Sequence, residues 1–359
     1  MIFCMADVHT FVPLTIKTFL VMKKLFASAI ALMSFGFAYS QANIDVSTQI
    51  GNLNEGYVNQ TGLMNVDMLT QNGNRNVATI DQMGAGNINL ALSDGNRNNI
   101  DVDQIGILNM NTVEQHGNRN SASTLQVGLL NSTTQEQNGN RNDVSSIQLG
   151  ALNVASQYQD GNRNSASTFQ IGIGNSSDQT QLGNDNSASV IQLGMNNDAT
   201  QLQWGDDNDA SALQVGIGNS AEQNQFGDGN SASSIQLGMN NDSYQLQVGD
   251  DNEATAVQLG SDNSINQYQL GDDNYALHLQ VGNGNYAGSL QMGSDNTAFG
   301  LQVGDDNELH QWQLGDRNTA VDSQLGNDNF TFVTQSGTDH LHIGTQAGNA
   351  NTLIVNQSN

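Results

Sequence analysis

The sequence has little of what cross-links, kinks or anchors a protein chain. Its only cysteine is Cys4, its only proline is Pro13, aromatic residues make up 6% of the 359 residues, and no lysine follows Lys24. Disulfides are therefore excluded beyond the N-terminus, and long stretches are free of the residue that most disrupts strands. Because only 36% of residues are apolar, an ordinary globular core is not expected.

The longest apolar run lies near the N-terminus. Lys23 and Lys24 precede an apolar stretch at residues 25–37, and Ala-Tyr-Ser follows at 38–40. This order predicts a secretory signal peptide over residues 22–40. A membrane anchor is the lesser alternative, since the run is shorter than the roughly 20 residues that span a bilayer. Residues 1–21 precede a suitable start at Met22 and are interpreted as an over-extended start.

Positive charge is scarce after the predicted signal peptide. All three lysines and one of the 35 acids precede residue 41, which leaves six arginines against 34 acids and a net charge near −28. Such a chain is not expected to bind nucleic acid, whose phosphates need a cationic surface. It is expected to be soluble and self-repelling.

One eleven-residue period fills residues 43–359. Gln recurs at 28 of the 29 positions from Gln49 to Gln357, with Ser93 the exception, and Asn at 28 of the 29 positions from Asn43 to Asn351, with His340 the exception. Gly follows each Gln by two residues without fail from Gly51 to Gly348.

The full unit is 22 residues long and consists of two similar halves. Arginines recur every 22 residues from Arg75 to Arg163, and Arg317 falls in the same column. A second Gln also precedes the first in alternate halves; these residues are Gln135, Gln157, Gln179, Gln201, Gln223, Gln245, Gln267 and Gln311.

A fixed period of this length indicates a repeat architecture. Each half contains seven residues from Asn to Gln, which suit a strand of about 23 Å, and a four-residue joint whose Gly permits positive φ. The prediction is an all-β fold, a β-solenoid of about 14 two-stranded rungs stacked over roughly 67 Å. The alternative is a right-handed coiled coil, which the Gly and Asn of every repeat disfavour.

Alternation along the strand leaves two arrangements open. Asn120, Ala122, Thr124 and Gln126 share one face. If that face is inward, identical amides stack into hydrogen-bonded ladders. In the inverse arrangement the residue after Gln, which is apolar at all fifteen positions from Ile171 to Leu325, is buried instead, as hydrophobicity alone favours. The first arrangement leaves an apolar stripe exposed along the stack.

The segments "QLGNDNSAS" (residues 181–189) and "QFGDGNSAS" (residues 225–233) resemble the curlin repeat of bacterial curli subunits. The resemblance covers residues 43–357. It implies secretion to the cell surface, assembly into amyloid fibres, and roles in adhesion and biofilm matrix. The partners it implies are further copies of the chain, a nucleator subunit, and the export channel and chaperones of a curli-type system.

The resemblance also favours the arrangement with Asn and Gln inside. The predicted structural ladder comprises Asn131, Gln137, Asn142, Gln148, Asn153, Gln159, Asn164 and Gln170. The predicted corner glycines are Gly128, Gly139, Gly150 and Gly161.

No arrangement typical of a catalytic site is visible, and no cofactor is expected. Acidic corners such as "GDDN" at residues 249–252 are a lesser candidate for Ca²⁺, which prefers oxygen ligands. His340 and His342 share a strand face and are a lesser candidate for a transition metal. The acidic corners are more simply explained as charged turns in contact with solvent. The two histidines are more simply explained as polar residues that fill a terminal rung.

The last repeat has no charge and no cap. Its strand is expected to expose an assembly edge that comprises Asn351, Leu353, Val355 and Gln357. Unblunted edges template the addition of further strands, so the sequence predicts a self-assembling fibre subunit whose assembly is opposed by acidic columns. A non-polymerising surface adhesin remains the alternative. An ice-binding solenoid is disfavoured, because the outward columns mix Ser, Asp, Glu and Leu.

Overall fold

The computed structural model describes residues 42–359; the signal-peptide and start predictions lie outside this range. All regular structure in the described range is β-strand, and the predicted all-β solenoid of about 14 turns is confirmed. The coiled-coil alternative is wrong, because residues 42–359 contain no helix. It follows that no membrane-spanning helix occurs in this range.

The strands are seven or nine residues long and follow one another at eleven-residue intervals. In chain order they are β1 (Ile44–Asn52), β2 (Glu55–Leu63), β3 (Val66–Asn74), β4 (Val77–Ala85), β5 (Ile88–Asn96), β6 (Asn99–Ile107), β7 (Met110–Asn118), β8 (Ser121–Leu129), β9 (Ser132–Asn140), β10 (Asp143–Ala151), β11 (Val154–Asn162), β12 (Ser165–Ile173), β13 (Ser176–Asn184), β14 (Ser187–Met195), β15 (Asp198–Trp204), β16 (Asp209–Ile217), β17 (Ser220–Phe226), β18 (Ser231–Met239), β19 (Asp242–Val248), β20 (Glu253–Ser261), β21 (Ser264–Leu270), β22 (Tyr275–Asn283), β23 (Tyr286–Met292), β24 (Thr297–Val303), β25 (Glu308–Asp316), β26 (Thr319–Leu325), β27 (Phe330–Thr338), β28 (Leu341–Ala347) and β29 (Thr352–Ser358).

The strands form two parallel sheets. The odd-numbered strands form a 15-stranded sheet and the even-numbered strands a 14-stranded sheet. Every residue pairs with the residue 22 positions later; for example, Val144 of β10 pairs with Ala166 of β12, and Gln148 with Gln170. One rung is therefore one 22-residue unit, as the arginine spacing predicts.

Each corner between strands is made by two residues with positive φ. The Gly series has φ between +111° and +139°, and a Cβ added at Gly139 would lie 1.9 Å from the carbonyl oxygen of Gly161 in the next rung. Gly128, Gly150 and Gly161 have the same conformation. Two residues after the Gly, a second residue adopts the left-handed helical region, as Arg141 does with φ of 61°.

The space between the sheets is narrow and largely polar. Small residues such as Ala122, Ala188 and Ala210 are buried where the sheets face each other. Larger apolar side chains, including Leu69, Ile80 and Ile100, are buried mainly in the N-terminal rungs. The ladders of side-chain amides therefore supply much of what lies inside the solenoid.

Candidate functional site: amide ladders, corner columns and open ends

The Gln side chains form a hydrogen-bonded column on the inner face of each sheet, and the column of the odd-numbered sheet is interrupted at Ser93. Gln148 Nε2 donates to Gln170 Oε1 at 2.9 Å and to the carbonyl of Ser132 in the facing sheet at 2.9 Å. Gln137 Nε2 likewise donates to Gln159 Oε1 at 3.1 Å and to the carbonyl of Ser121. Each amide therefore joins two rungs and also joins the two sheets. Gln137, Gln148, Gln159 and Gln170 are fully buried.

The one departure from the Gln series leaves a gap in the ladder. Ser93 is buried, and its hydroxyl has no hydrogen-bond partner. The Oε1 atom of Gln115, one rung later, is also buried and unpaired. Each unpaired buried polar atom costs about 1 to 3 kcal/mol of folding free energy. An intact Gln ladder avoids this cost in the other rungs.

The Asn side chains fasten the corners of adjacent rungs. The backbone N–H of Asn142 donates to Asn120 Oδ1 at 3.0 Å, and Asn142 Nδ2 donates to the carbonyl of Gly161 at 3.0 Å. Asn164 repeats this pattern one rung later with Asn142 and Gly183. The same column in the other sheet contains Asn131 and Asn153, and all four predicted ladder asparagines are buried.

The second Gln of alternate repeats forms a further ladder, to which the sequence pattern assigned no role. Gln135 Nε2 donates to Gln157 Oε1 at 2.9 Å and to the carbonyl of Ser123 in the facing sheet at 3.1 Å. The ladder continues without a break to Gln267. Its occurrence only in odd-numbered strands is the sequence signal that could have located it.

The residue after Gln, which is apolar at all fifteen positions from Ile171 to Leu325, lies on the outer face. Ile171, Trp204 and Leu325 are 38%, 48% and 42% exposed. The inverse arrangement, in which this column is buried, is not the one in the structure. An apolar stripe therefore runs along the outside, and Trp204 and Phe226 of adjacent rungs contact each other with ring centroids 6.4 Å apart.

One edge of the solenoid carries opposite charges in its two halves. The left-handed corner position that follows the odd-numbered strands holds Leu53, then five consecutive arginines and then mostly aspartates; the series is Leu53, Arg75, Arg97, Arg119, Arg141, Arg163, Asp185, Asp207, Gly229, Asp251, Asp273, Asp295, Arg317 and Asp339. We call the residues from Arg75 to Arg163 the arginine column, and Asp185, Asp207, Asp251, Asp273 and Asp295 the aspartate column.

The arginine column lines a groove. The groove has a volume of about 780 Å³, and a stack of exposed asparagines forms its other wall, in which Asn118 Nδ2 donates to Asn140 Oδ1 at 2.8 Å. Arg163 meets Asp185 in a two-pronged ion pair where the two columns join. This pair lowers the pKa of the Asp185 carboxyl below its ordinary value.

Two buried ionisable groups lie away from the corners. Burial lowers the pKa of His278 to about 4, and its two ring nitrogens lie 3.2 Å from Gln267 and Gln311. Burial raises the pKa of Asp67 to about 7, against the hydrogen bond that Asn89 donates to it at 2.7 Å. The imidazole of His278 is therefore neutral above about pH 4, and the carboxyl of Asp67 is neutral below about pH 7.

The candidate metal ligands are spread apart or paired with other groups. No cluster of three or more His, Cys, Asp or Glu side chains arranged to hold a metal lies within residues 42–359. His342 Nε2 lies 2.9 Å from Asp322 Oδ1, and His340 Nε2 lies 3.2 Å from the carbonyl of Ser336. Ca²⁺ at the acidic corners stays a prediction.

Within residues 42–359, both ends of the stack are open. β1 and β29 each have a paired strand on one side only. Asn351, Leu353, Val355 and Gln357 lie at the inward positions of β29 and are half-exposed, because no further rung covers them. At the other end, most of β1 is exposed as well.

These features define a class of protein, an in-register parallel β-solenoid with ladders of side-chain amides inside. The family model described as curlin associated repeat matches residues 161–194, which run from the corner before β12 into β14. The match confirms the curlin-repeat resemblance, and the same register continues on both sides of it. No curated protein matches the chain.

Proposed function

We propose that the chain is a secreted structural subunit of curli-like extracellular amyloid fibres. The observation that carries the proposal is the pair of open ends on an in-register parallel stack. An open strand presents a row of unpaired N–H and C=O groups, and identical stacked repeats let another copy continue every ladder. Adhesion and a place in a biofilm matrix are the roles such a fibre would serve.

The apolar surface at the ends supports end-to-end contact. Ile343 and Ile354 near the C-terminus and Tyr57 near the N-terminus are 69%, 68% and 61% exposed, more than the apolar side chains in the middle of the stack. Covering apolar surface contributes roughly 25 cal/mol per Å². Stacking therefore adds apolar burial to the new hydrogen bonds.

The experiment is incubation of the purified chain, followed by electron microscopy and an amyloid-binding dye. Unbranched fibres that bind the dye are expected. A chain that stays monomeric over days, at the highest concentration that stays in solution, would refute the proposal.

A surface-binding solenoid that does not polymerise is the second candidate. The exposed apolar stripe with Trp204 and Phe226 favours it, because a long apolar patch marks a contact surface. Sedimentation velocity separates the two candidates, since an adhesin stays a monomer and a fibre subunit does not. In either case we propose export by the predicted signal peptide, with a nucleator, export channel and chaperones as partners of the fibre.

A further inference from the structure

Residues 42–359 contain 29 strands, and this odd number constrains how two copies stack. β1 and β29 belong to the same sheet, which has one strand more than the other. If a second copy is added without rotation, its β1 pairs with β29 in the larger sheet. Its β2 then cannot pair with β28 in the smaller sheet, because one strand position between them is empty. The smaller sheet is then interrupted by one missing strand, and the backbone groups on both sides of the gap lose their partners.

A half turn about the stack axis removes the gap. In that orientation β1 of the next copy covers β28, its β2 covers β29, and both sheets continue at the ordinary spacing of about 4.8 Å. The half turn is possible because both sheets carry the same Asn, Gly and Gln columns at the same eleven-residue spacing.

The inner side chains at the two ends match in the half-turn orientation. Asp45 of the next copy then stacks on His342, which already pairs with Asp322 at 2.9 Å, and Gly56 stacks on Leu353. Without the half turn, Asp45 would stack on Leu353 instead. Burying a carboxylate against a leucine costs free energy unless a partner compensates, so the ends favour the half turn.

The direction of the amide ladders sets which ends meet. Wherever two stacked Gln side chains bond, the earlier residue donates to the later one, as Gln324 donates to Gln346 and Gln335 to Gln357. At a junction with the half turn, Gln346 and Gln357 would donate to the first Gln of each sheet in the next copy, Gln49 and Gln60. The C-terminal end of one copy therefore meets the N-terminal end of the next.

We propose that successive copies in the fibre are related by a half turn beyond the twist of the sheets themselves. This inference rests on the proposed fibre function and specifies its junction. The rise per copy is then about 70 Å, which corresponds to 29 strands shared between two sheets with a strand spacing of about 4.8 Å.

Cryo-electron microscopy of fibres tests the half turn when three chains are compared. The unaltered chain has 29 strands and should show the half turn. Deleting residues 349–359 removes β29 and leaves an even number, so continuous sheets then require no half turn. Deleting residues 220–241 removes β17 and β18, keeps both ends and the odd number, and should preserve the half turn.

Fibres of the unaltered chain without a half turn would overturn the inference, as would the same symmetry in both deletion variants. Such results would leave the fibre function intact. Absence of fibres from the unaltered chain would instead refute the proposed function, and this inference with it.

A second, independent observation concerns the arginine and aspartate columns. Nothing in the fold requires arginine at these corners, because Leu, Asn, Asp and Gly occupy equivalent positions elsewhere. Like charges stacked on adjacent strands destabilise a sheet, and a left-handed conformation is unfavourable for a non-glycine residue. Five such arginines in succession are therefore expected to lower the stability of the solenoid, so their presence is not explained by the fold.

A second copy of the chain carries the complementary charges at the same spacing. When two copies lie antiparallel about a two-fold axis, this edge pairs Arg75 with Asp273 and Arg97 with Asp251. The same register pairs Arg141 with Asp207 and Arg163 with Asp185. Each pair forms twice, as the symmetry of such an interface requires.

The neighbouring column is complementary in this same register. The exposed asparagines that line the groove lie opposite aspartates of the second copy; the pairs are Asn74 with Asp272, Asn96 with Asp250, Asn118 with Asp228 and Asn140 with Asp206. Arg317 and Asp339, which pair at 2.7 and 3.0 Å, show that guanidinium and carboxylate groups in this column meet in two-pronged geometry.

The geometry points to side-by-side, antiparallel pairing of two copies through this edge. Phosphates of B-form DNA repeat every 3.4 Å along each strand, whereas both columns repeat at the strand spacing of about 4.8 Å. A second copy is therefore the occupant that matches the groove in both charge and spacing. The pairing needs no end-to-end contact and is thus separate from fibre growth.

Two charge-exchanged variants test this pairing. One replaces Arg75, Arg97, Arg141 and Arg163 by Asp, and the other replaces Asp185, Asp207, Asp251 and Asp273 by Arg. Sedimentation at low salt should show pairs for the unaltered chain and for the 1:1 mixture of variants, but at least tenfold fewer for either variant alone. A matched control replaces Leu108, Leu130 and Leu152 on the opposite edge by Asp and should pair normally.

Two results would overturn the pairing: equal association of every variant, or no gain in the mixture. Pairing of the unaltered chain only after an acidic polysaccharide is added would also overturn it, and would assign the groove to an external polyanion. The register is tested in a Cys4→Ser background by mixing the Arg119→Cys and Gly229→Cys variants, whose cysteines lie opposite each other. A disulfide in each variant alone but not in the mixture would contradict the register.

Discussion

The two halves of the charged edge share one backbone but differ in chemistry. The corner at residues 139–142 reads Gly-Asn-Arg-Asn, and the corner at residues 249–252 reads Gly-Asp-Asp-Asn. Arg141 and Asp251 nevertheless have φ of 61° and 55°, and the Asn that follows each of them makes the same pair of hydrogen bonds.

This difference separates the residues that specify the fold from those that are free to vary. The buried Gln and Asn columns and the corner Gly column are nearly uniform from end to end, because each residue must match the rung above and below. The corner position that points to solvent tolerates Arg, Asp, Asn, Leu or Gly. Charge at the corners can therefore change along the stack without changing the fold.

The largest expected effect comes from the glycine that both halves share. Gly117→Ala and Gly249→Ala should each destabilise the solenoid by more than about 3 kcal/mol, because positive φ and a steric clash combine. The added Cβ would lie 1.9 Å and 2.2 Å from the next glycine carbonyl. Chemical denaturation measures the change, and Ser145→Ala on the outer face is the control.

If one of these two substitutions cost less than about 1 kcal/mol, the corners of the two halves would not be equivalent. That result would contradict the view that the backbone of both halves is the same.

A smaller effect is expected where the ladder of the first half is interrupted. Ser93→Gln should stabilise the protein by about 1 to 3 kcal/mol, because it supplies a donor to the unpaired Gln115 Oε1. Denaturation midpoints measure the gain, and Ser123→Gln on the outer face is the control. Destabilisation by Ser93→Gln would show that this site has no space for the missing amide.

A local pH effect is expected in the N-terminal rungs. Because burial raises the pKa of Asp67 to about 7, the folded state binds this proton more tightly than the unfolded state. Stability from this group is present at low pH and is lost as pH rises from about 4 toward and through 7. Intrinsic amide exchange is base-catalysed and quickens with pH everywhere, so the observable is protection relative to the intrinsic rate. Protection in β1 to β5 should fall between pH 5 and pH 8, while protection in the C-terminal half changes less.

The matched variant for this pH effect is Asp67→Asn, which continues the Asn column of Asn89 and Asn111. It should remove the pH dependence of protection in β1 to β5. Protection that still falls equally in this variant would assign the effect to another group.

The smallest effect comes from the corner charges themselves. Arg119→Asn and Asp251→Asn should each stabilise the protein by roughly 0.5 kcal/mol, since each removes a charge stacked between like charges and introduces a residue that tolerates positive φ. Thermal denaturation at low salt measures the gain, which should shrink as salt is added. A loss of stability in either half would mean that the charged column supports the monomer.

Assembly should respond to the same charges. Two acids stacked at about 4.8 Å repel by roughly 0.9 kcal/mol in water before screening, so added salt or Ca²⁺ should speed fibre growth. Dye-binding kinetics measure the rate, and replacing Asp207, Asp251 and Asp273 by Asn should make it less sensitive to salt. Growth rates that are equal at all salt concentrations would contradict a role of the acids in delaying assembly.

Much of the fold could be predicted from sequence because each structural requirement recurs. A glycine without exception indicates positive φ, and the 22-residue spacing of the arginines marks one rung. Which column is buried could not be settled from hydrophobicity, because the amides gain free energy only when stacked in register. Ser93 shows this requirement in reverse, since one missing amide leaves two buried atoms without partners.

Other features depend on three-dimensional detail. The bond from Gln148 to the carbonyl of Ser132 depends on the distance between the sheets, which no repeat spacing specifies. The second positive-φ corner residue was missed because Arg141 is a residue type with no preference for that conformation. The opposite charges on one edge became apparent only when the corner positions of odd-numbered strands were seen to stack.

X-ray diffraction from aligned fibres is the most direct measurement. If the rungs of one copy stack on those of the next along the fibre, the strand spacing should give a reflection near 4.8 Å along the fibre axis. Fibres whose 4.8 Å reflection lies perpendicular to the axis, or that lack it, would contradict end-to-end stacking of this solenoid.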